Sequence, residues 1–315
     1  MREWLVPFPV DVRLTLSVHA RGRNDPAFRV DERGAVWRTS LTPDGPATLR
    51  VAEGSQCGRD TPARDAAAQD GALIIAEAWG PGAAWVLDSL PAQIGVHDDV
   101  SSFAEAVATA GHHPIVREVA LRHPGMRIGR TNRVFEALVP AILEQKVVGL
   151  EAHRAWRILL TRFGTAAPGP APAGMRAFPP PQAWKAIPSW EWHKAGVEAV
   201  RARTIGAAAT VAGRLERNPA DGALQSIPGI GPWTSAETRQ RAIGDPDAVS
   251  VGDYNLPKAV GWALAGRHTT DDETMLELLE PYRGHRYRVT RMIELSGLRP
   301  PRRGPRMPVR DYRAF

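Results

Sequence analysis

A short turn between two helical segments constrains this chain more than any other feature of its sequence. Pro228-Gly229-Ile230-Gly231 ends the apolar run ALQSI and is followed at once by Pro232 and a polar helical stretch. The glycines can adopt positive φ, and Pro232 suits the first position of a helix, where its missing amide is harmless. Such a hairpin leaves free backbone amides at a positive helix end, which suits a phosphate group. The same turn is also typical of an ordinary connection between helices.

Asp253 is the second feature of the sequence that constrains this chain. In Ser250-Val251-Gly252-Asp253-Tyr254 it follows an extended apolar run and precedes a predicted helix. This is the position of an N-cap, whose side-chain oxygen accepts a backbone amide of the first turn. A capping carboxylate keeps one oxygen free, so capping and a chemical role are compatible. Asp221 is likewise placed to cap the short helix that precedes the turn.

The first hundred residues are predicted to be rich in β-structure. The apolar residues from Val10 to Val18 alternate with polar ones, and this period of two predicts a half-buried strand. Further strands are predicted at AVWRTSLT, ATLRVA and GALIIAEAW, with a turn at Pro43-Asp44-Gly45. A helix over AAWVLDSLPAQIG closes this unit.

From Ser102 onward the periodicity becomes helical. Two strong helices are predicted at NRVFEALVPAILEQKVV, where Pro140 indicates a kink or a later start, and at GLEAHRAWRILLTRF, with Gly164 as its stop. The fold class is therefore α+β, a small β-rich domain followed by two helical lobes. The predicted boundaries are 1–100, 101–298 with a Pro-rich loop at 166–182 and the hairpin at about 223–243, and a basic tail at 299–315.

Composition excludes several classes of site. The single cysteine, Cys57, cannot form an internal disulfide or an all-cysteine zinc or iron–sulfur site. The N-terminal stretch MREWLVPFPVDVRL has no apolar run of signal-peptide length, and no segment approaches a membrane span. We therefore expect a cytoplasmic protein that does not bind membranes.

The basic charge is concentrated at one end. Residues 281–315 contain ten arginines against two acids, a local charge of +8 in a chain whose net charge is +6. A basic end on a near-neutral body indicates contact with a polyanion, because phosphate contacts release counterions. A solvated tail without a ligand has the same composition.

The combination of Gly229, Gly231, a helix, and an Asp twenty-two residues after Gly231 resembles the helix-hairpin-helix DNA glycosylases. Within that superfamily the chain is most similar to the bacterial 3-methyladenine-DNA glycosylase II family. The likeness extends from HPGMRIGRTNRVFEALVPAILEQKV to RYRVTRMIELSG, with a β-rich domain of suitable size before it. That domain is shared with the 8-oxoguanine branch. The endonuclease III branch needs four cysteines for its iron–sulfur cluster, which this chain lacks.

The resemblance implies a role for individual residues. Asp253 matches the catalytic carboxylate, Trp233 a wall of the base pocket, and Tyr254 a neighbouring pocket residue. Bifunctional members have a Schiff-base lysine where Trp233 stands. The remaining implied sites are the DNA-phosphate contacts Gly229, Gly231 and Thr234, and a structural monovalent cation on the carbonyls of Gln225, Ile227 and Ile230. No cofactor is expected for the chemistry.

Two positions depart from the family pattern. The alkylation enzymes insert an apolar wedge directly after a glutamine, but here the pair is Gln145-Lys146. Four residues after Trp233 the family has an aromatic pocket residue, whereas this chain has Glu237. A solvated charge is the alternative interpretation at both positions. Lys146 is the only lysine we expect near the site.

The resemblance implies a monofunctional glycosylase acting on double-stranded DNA in base excision repair, and we expect it to be a nucleoid-associated monomer. It would hydrolyse the N-glycosidic bond of a flipped-out, alkylated base and leave an abasic site. One alternative is a glycosylase for oxidised or deaminated bases on the same fold, which Glu237 favours because a carboxylate can accept from a neutral base edge. The other is a non-catalytic binder of damaged DNA, which needs the hairpin and the basic tail but not Asp253.

Overall fold

The N-terminal part of the chain forms an antiparallel sheet. The computed structural model describes residues 1–54, 71–108, 113–269 and 271–301, and within these ranges the first sheet has five strands in the order β1-β5-β4-β3-β2. They are β1 Arg2–Val6, β2 Phe28–Val30, β3 Val36–Thr42, β4 Gly45–Glu53 and β5 Ala72–Trp79. The predicted strands AVWRTSLT, ATLRVA and GALIIAEAW are confirmed as β3, β4 and β5. Cys57 lies outside the described residues.

The sheet has a core of its own. The predicted turn joins β3 to β4, whose register pairs Thr42 with Gly45. The helix predicted from AAWVLDSLPAQIG is confirmed as Ala83–Gln93 and covers the sheet with Val86 and Leu90. The strand residues that it covers are β-branched or aliphatic, as a half-buried pleated surface favours. They include Val36, Leu49, Val51, Ile74 and Ala76.

The alternation from Val10 to Val18 does not form a strand, so that prediction is wrong. Val12–Leu16 is a short helix, and a single 3-10 turn follows over Ser17–His19. Asp11 begins the helix because its Oδ1 accepts the amide of Leu14 at 2.7 Å. Val12 and Leu16 lie four residues apart and are both buried, a spacing that fits one helix face as well as one strand face. The first strand of the chain is instead β1, which pairs with β5.

The rest of the described chain is mainly helical. In chain order the helices are α1 Val12–Leu16, α2 Ala83–Gln93, α3 Ser101–Ala108, α4 Pro114–Arg122, α5 Val134–Leu143, α6 Gly149–Phe163, α7 Pro181–Lys185, α8 Ser189–Ala195, α9 Ala199–Thr210, α10 Ala212–Arg217, α11 Asp221–Gln225, α12 Pro232–Ala242, α13 Leu256–Ala265, α14 Asp272–Leu279 and α15 Arg286–Leu295. Apart from the short β6 and β7 described below, the described residues after Trp79 contain no strands. The α+β class, a sheet followed by a mainly helical region, is confirmed.

Two clusters of buried side chains define the helical lobes. The middle lobe contains α5–α12, and its core includes Leu138, Leu159, Trp184 and Ile205. The terminal lobe combines α3 and α4 with α13–α15 around Val116, Val260, Met275 and Val289. The terminal lobe is thus assembled from segments on both sides of the middle lobe. The segment that carries Asp253 passes from one lobe to the other.

Helix α5 runs through Pro140. The predicted later start is wrong, because the helix begins at Val134 and continues to Leu143 with Pro140 buried inside it. A proline in a helix interior removes one backbone hydrogen bond. The Pro140 carbonyl still accepts the Glu144 amide at 3.0 Å, so the helix retains its regular end. The second predicted helix is confirmed as α6, with Gly164 as its C-cap.

The segment between α6 and α7 contains a small hairpin. Two-residue strands β6 Thr165–Ala166 and β7 Arg176–Ala177 pair antiparallel. The Thr39 hydroxyl of β3 donates to the Arg176 carbonyl at 2.6 Å, which ties this segment to the N-terminal sheet. Across the residues that the structure describes, there is no helix with the length and apolar character needed to span a bilayer.

Candidate active site

The two hairpin glycines have different conformations. Gly229 has φ +90°, and a Cβ built there would lie 2.2 Å from the Thr204 hydroxyl. Gly231 is extended, at φ −102° and ψ −175°, and is the N-cap of α12 with Pro232 in the first helical turn. Only Gly229 therefore needs glycine for its backbone conformation and for its close approach to α9. The turn ends with the amide end of α12 directed outward.

Asp221 is not the cap of α11, so that prediction is wrong. Ala220 is the N-cap, and Asp221 is the first helical residue. Its carboxylate accepts the Ser235 hydroxyl at 2.6 Å and the Gln225 amide at 2.8 Å, and it forms an ion pair with Arg239 at 3.3 Å. Burial acts to raise the pKa of Asp221, but these contacts outweigh burial and lower it. Asp221 joins the two hairpin helices to each other.

Asp253 is held by both of its carboxylate oxygens. Oδ1 accepts the backbone amides of Asn255 at 2.7 Å and Leu256 at 2.8 Å. The N-cap residue of α13 is Asn255, so the N-cap position predicted for Asp253 is wrong, although Asp253 binds the amides that lead into the helix. Oδ2 accepts the indole N–H of Trp233 at 3.1 Å. The expectation that capping leaves one oxygen free needs a correction, because the second oxygen is bonded to the hairpin helix. The structure thus brings Asp253 and Trp233 together, as the sequence predicts.

Tyr254 and Lys258 form a surface pair beside Asp253. The Tyr254 side chain is 76% exposed. Lys258 lies four residues further along, and its Nζ is 3.2 Å from the centroid of the Tyr254 ring. This is a cation–π contact. The expectation that Lys146 is the only lysine near the site is therefore wrong, although the i, i+4 spacing of Tyr254 and Lys258 could have indicated the pair.

Glu237 is a buried charge. It lies one turn after Trp233 on α12 and forms a 2.7 Å ion pair with Arg241. Its other oxygen accepts the Ser250 hydroxyl at 2.6 Å. Burial acts to raise the pKa of Glu237, but Arg241 and the hydrogen bond from Ser250 lower it below the ordinary value. The solvated interpretation of Glu237 is therefore wrong, and both carboxylate oxygens are engaged by protein groups.

The segment after α5 packs against the hairpin turn. Gln145 donates through Nε2 to the Gly229 carbonyl at 2.9 Å and to the Thr234 hydroxyl at 2.8 Å. Lys146 is exposed, with a left-handed backbone at φ +54°. Thr234 is buried and its hydroxyl contacts Gln145, so this side chain faces the protein. The Gln145 side chain therefore contacts the glycine turn of the hairpin directly, and Lys146 is the next residue along the chain.

Part of the chain is similar in sequence to a curated DNA repair enzyme. No family model matches the chain. A segment of 167 residues is 32% identical to the probable bifunctional transcriptional activator/DNA repair enzyme AlkA of Mycobacterium tuberculosis, covering 50% of this chain and 33% of that protein. The chain thus spans about a third of the length of the curated relatives it matches.

Similarity to solved structures extends over nearly the whole chain. The 3-methyladenine DNA glycosylase of Archaeoglobus fulgidus matches with a TM-score of 0.74 at 18% identity, over 94% of this chain and 99% of that one. The apo form of an 8-oxoguanine glycosylase/lyase from Clostridium acetobutylicum matches with a TM-score of 0.66 at 11% identity, over 91% and 93%. The fold is that of the helix-hairpin-helix DNA glycosylases.

In this glycosylase fold, the carbonyl site implied at Gln225, Ile227 and Ile230 stays a prediction. The Ile227 carbonyl accepts the Ile230 amide at 3.0 Å, which closes the turn. Among the residues that the structure describes, no group of three or more His, Cys, Asp or Glu side chains could hold a metal ion.

Three residues of the candidate site were missed from the sequence. Arg241 forms an ion pair with Glu237, and the contact between Ser250 and Gln240 holds the segment that leads to Asp253 against α12. The spacing of Glu237 and Arg241, four residues apart on a predicted helix, indicated a possible ion pair. The contacts of Ser250 carried no local signal, because they join positions ten or more residues apart.

Proposed function

We propose that this chain is a monofunctional DNA glycosylase that removes alkylated bases from double-stranded DNA in base excision repair. The contact between Trp233 and Asp253 supports this proposal most directly. It places an aromatic side chain and a carboxylate next to each other, directly beside the hairpin turn. An aromatic face receives a flipped base, and a carboxylate stabilises the sugar cation that the base leaves behind.

The chemistry follows from the charge of the substrate. An alkylated purine is cationic and already a good leaving group, so little acid catalysis is needed. Once the C–N bond breaks, the sugar carries oxocarbenium character, and the Asp253 carboxylate stabilises this charge. Water then adds to the anomeric carbon, and its proton passes to the solvent or to Asp253. The products are the free base and an unbroken strand with an abasic site.

The hairpin supplies a sequence-independent contact. Helix α12 has eleven residues, and its amide end follows the extended Gly231. A phosphate at this end would accept backbone N–H groups and interact favourably with the helix dipole. A related glycosylase/lyase from Clostridium acetobutylicum, with a TM-score of 0.64 to this chain, is described in complex with double-stranded DNA. We assign Gly229 and Gly231 to the phosphate contact, and Thr234 to support of the turn through its bond with Gln145.

A monovalent cation would complete this hairpin. The carbonyls of Gln225, Ile227 and Ile230 are neutral oxygen donors, which suit K⁺ or Na⁺ better than a divalent ion. The cation would order the turn and add positive charge near the phosphate, with no part in the chemistry. DNA affinity measured at constant ionic strength in potassium and in tetramethylammonium salts tests this, and equal affinities would refute it.

A glycosylase for oxidised or deaminated bases is the second candidate function. The fold similarity to an 8-oxoguanine glycosylase/lyase and the carboxylate of Glu237 in place of an aromatic residue both favour it. Against it, the Glu237 carboxylate is already bonded to Arg241 and Ser250, so it is not directed toward a base. Release of an alkylated base leaves these contacts intact.

The decisive experiment measures which bases the protein releases. Duplex DNA treated with a methylating agent, and duplexes containing single hypoxanthine or 8-oxoguanine residues, are incubated with excess protein and the free bases are separated chromatographically. Release of 3-methyladenine or 7-methylguanine as the main products supports the proposal. Release mainly of hypoxanthine or 8-oxoguanine supports the second candidate. Binding of damaged duplex without any released base would leave only the non-catalytic binder.

A further inference from the structure

The segment that carries Asp253 is bonded to α12 at two separate places. One is the contact between Trp233 and Asp253 itself. The other is at Ser250, whose hydroxyl donates to Glu237 at 2.6 Å and accepts from the Gln240 amide at 3.0 Å. Gln240 also donates to the Ala248 carbonyl at 2.8 Å. The segment from residue 248 to residue 253 therefore lies along α12 and is fixed at both of its ends.

Ser250 is coupled to Asp253 through the backbone. The Asp253 amide donates to the Ser250 carbonyl at 3.2 Å, which closes a tight turn between them. Gly252 within this turn has φ +91°, a conformation that suits glycine. A displacement of Ser250 is therefore transmitted to the carboxylate only three residues away.

Glu237 is itself fixed by a buried pair. Arg241 donates to Glu237 at 2.7 Å and, through Nε, to the Val18 carbonyl at 3.0 Å. The Glu237 and Arg241 side chains are only 15% and 14% exposed. Charges of this kind keep a defined geometry because breaking a buried pair leaves an uncompensated charge. Glu237 is thus a rigid acceptor on the same helix as Trp233, one turn away.

We infer that Glu237, acting through the Ser250 hydroxyl, is a positioning residue that sets where the Asp253 carboxylate lies. The inference rests on the proposed glycosylase function. Trp233 by itself restrains only the tip of the Asp253 side chain. The Glu237–Ser250 bond restrains the backbone that bears it. A misplacement of about 1 Å at a reacting group can reduce a rate by about 10²-fold, so this bond matters for chemistry as well as for stability.

The structure offers a matched control for this network. Glu136 on α5 is also a buried carboxylate, and it accepts from Arg38 at 2.5 Å and from the Ser40 hydroxyl at 3.1 Å. Ser40 and Ser250 are both buried, at 2% and 4% exposure. The Glu136 network joins α5 to β3 and has no contact with Asp253. Glu136→Gln and Ser40→Ala therefore repeat the same chemical changes away from the site.

The test compares two pairs of variants in the full chain. Single-turnover base release at saturating protein, DNA affinity and thermal stability are measured for Glu237→Gln and Ser250→Ala, and for Glu136→Gln and Ser40→Ala. We expect the first pair to release the base about ten- to a hundredfold more slowly, with DNA affinity unchanged. The control pair should lose comparable thermal stability and keep the wild-type rate. Ser250→Thr, which retains the hydroxyl, should restore most of the rate.

A second readout does not depend on enzyme activity. Amide hydrogen exchange is measured on the free protein, and Glu237→Gln and Ser250→Ala should accelerate exchange in residues 248–256, whereas the control pair should not. The inference would be overturned if Glu237→Gln and Ser250→Ala released the base at the wild-type rate. Equal losses of base-release rate in both pairs of variants would overturn it too. If the wild-type protein releases no base, the proposed function fails. The exchange data then still decide whether Glu237 holds the segment in place.

Discussion

At the scale of single residues, the two oxygens of the Asp253 carboxylate make different contacts. Oδ1 accepts two backbone amides at the start of α13, and Oδ2 accepts the indole N–H of Trp233. These three contacts fix the rotation of the carboxylate group. In the proposed mechanism the same group also stabilises the sugar cation, so it would have a structural role and a chemical role.

Replacing Asp253 by Asn should separate these roles. The Asn oxygen can still accept the amides of Asn255 and Leu256, so we expect little change in fold or DNA affinity. Loss of a well-placed charge typically reduces the rate by about 10²–10³-fold. Single-turnover assays on methylated duplex DNA, together with binding to the same DNA, measure both effects. Near-normal base release by this variant would refute the proposed mechanism.

The product should be an unbroken abasic strand. Trp233 occupies the position where bifunctional members of the superfamily have lysine, so we expect no imine between protein and DNA. Two lysines lie near enough to the candidate site to be tested as a source of such an imine. Lys146 lies beside the hairpin, and Lys258 contacts the Tyr254 ring. Borohydride trapping on damaged duplex DNA should yield no covalent adduct. An adduct that disappears in Lys146→Ala or in Lys258→Ala would identify its source and contradict the monofunctional assignment.

The family resemblance implied that Trp233 and Asp253 belong to one site, and the structure brings their side chains into contact. The sequence was not sufficient for Glu237. A charged residue on a polar helix has the same local pattern whether it is solvated or paired, and the deciding partner, Ser250, comes from another segment. Contacts of that kind depend on how the helices pack, which a single sequence does not specify.

At the scale of elements, the hairpin was predictable and the first helix was not. Glycine and proline determine the hairpin through backbone geometry, which is local. The helix α1 has only five residues, and Val12 and Leu16 fit both a period of two and an i, i+4 spacing. The N-cap contact of Asp11 decides in favour of the helix. In segments this short the capping residue is more informative than the apolar pattern.

The two hairpin glycines should respond differently to alanine. Gly229→Ala meets both a positive φ and the Thr204 hydroxyl, 2.2 Å from the built Cβ. A non-glycine residue in that backbone region costs about 1–3 kcal/mol, so we expect lower thermal stability and weaker DNA binding. The control for stability is Gly231→Ala, because Gly231 is extended and its built Cβ has no neighbour within 4 Å. Equal thermal stability of the two variants would contradict this account.

At the scale of the whole molecule, buried charges join the sheet to the middle lobe. His19 lines a cavity with Arg38 of β3 and Arg241 of α12. Burial, and then the charges of Arg38, Arg241 and Arg21, lower the pKa of His19 well below its ordinary value of 6.5. The folded protein therefore binds the His19 proton more weakly than the unfolded chain. This linkage makes the free energy of unfolding depend on pH.

The stability contributed by neutral His19 should be fully present above pH 6.5 and should be lost as the pH falls below that value. Chemical denaturation between pH 5 and pH 8 measures this dependence. In His19→Gln the free energy of unfolding should change less steeply with pH, because the side chain no longer titrates. A residual slope is expected from His285, whose pKa is also lowered, first by burial and then by Arg288. An unchanged slope in His19→Gln would show that His19 does not contribute.

Four of the ten arginines in residues 281–315 are paired with acidic residues. Arg288 is buried and paired with Asp98 at 2.6 Å, and Arg286 is paired with Asp247 at 2.5 Å. Arg283 and Arg291 form more exposed ion pairs with Glu280 and Glu294. A count of charges in this segment could not reveal the first two partners, because Asp98 and Asp247 lie far away along the chain.

Deleting the residues after Leu298 should weaken DNA binding without sequence preference. This deletion removes Arg299 and five arginines that lie outside the described residues, namely Arg302, Arg303, Arg306, Arg310 and Arg313. For every phosphate that these arginines neutralise, the deletion should reduce the log–log slope of affinity against salt by about 0.9. Base release at saturating protein should stay the same, because Asp253 and the hairpin are retained. If the truncated protein keeps the full-length salt slope but melts at a lower temperature, the tail stabilises the fold and does not contact DNA.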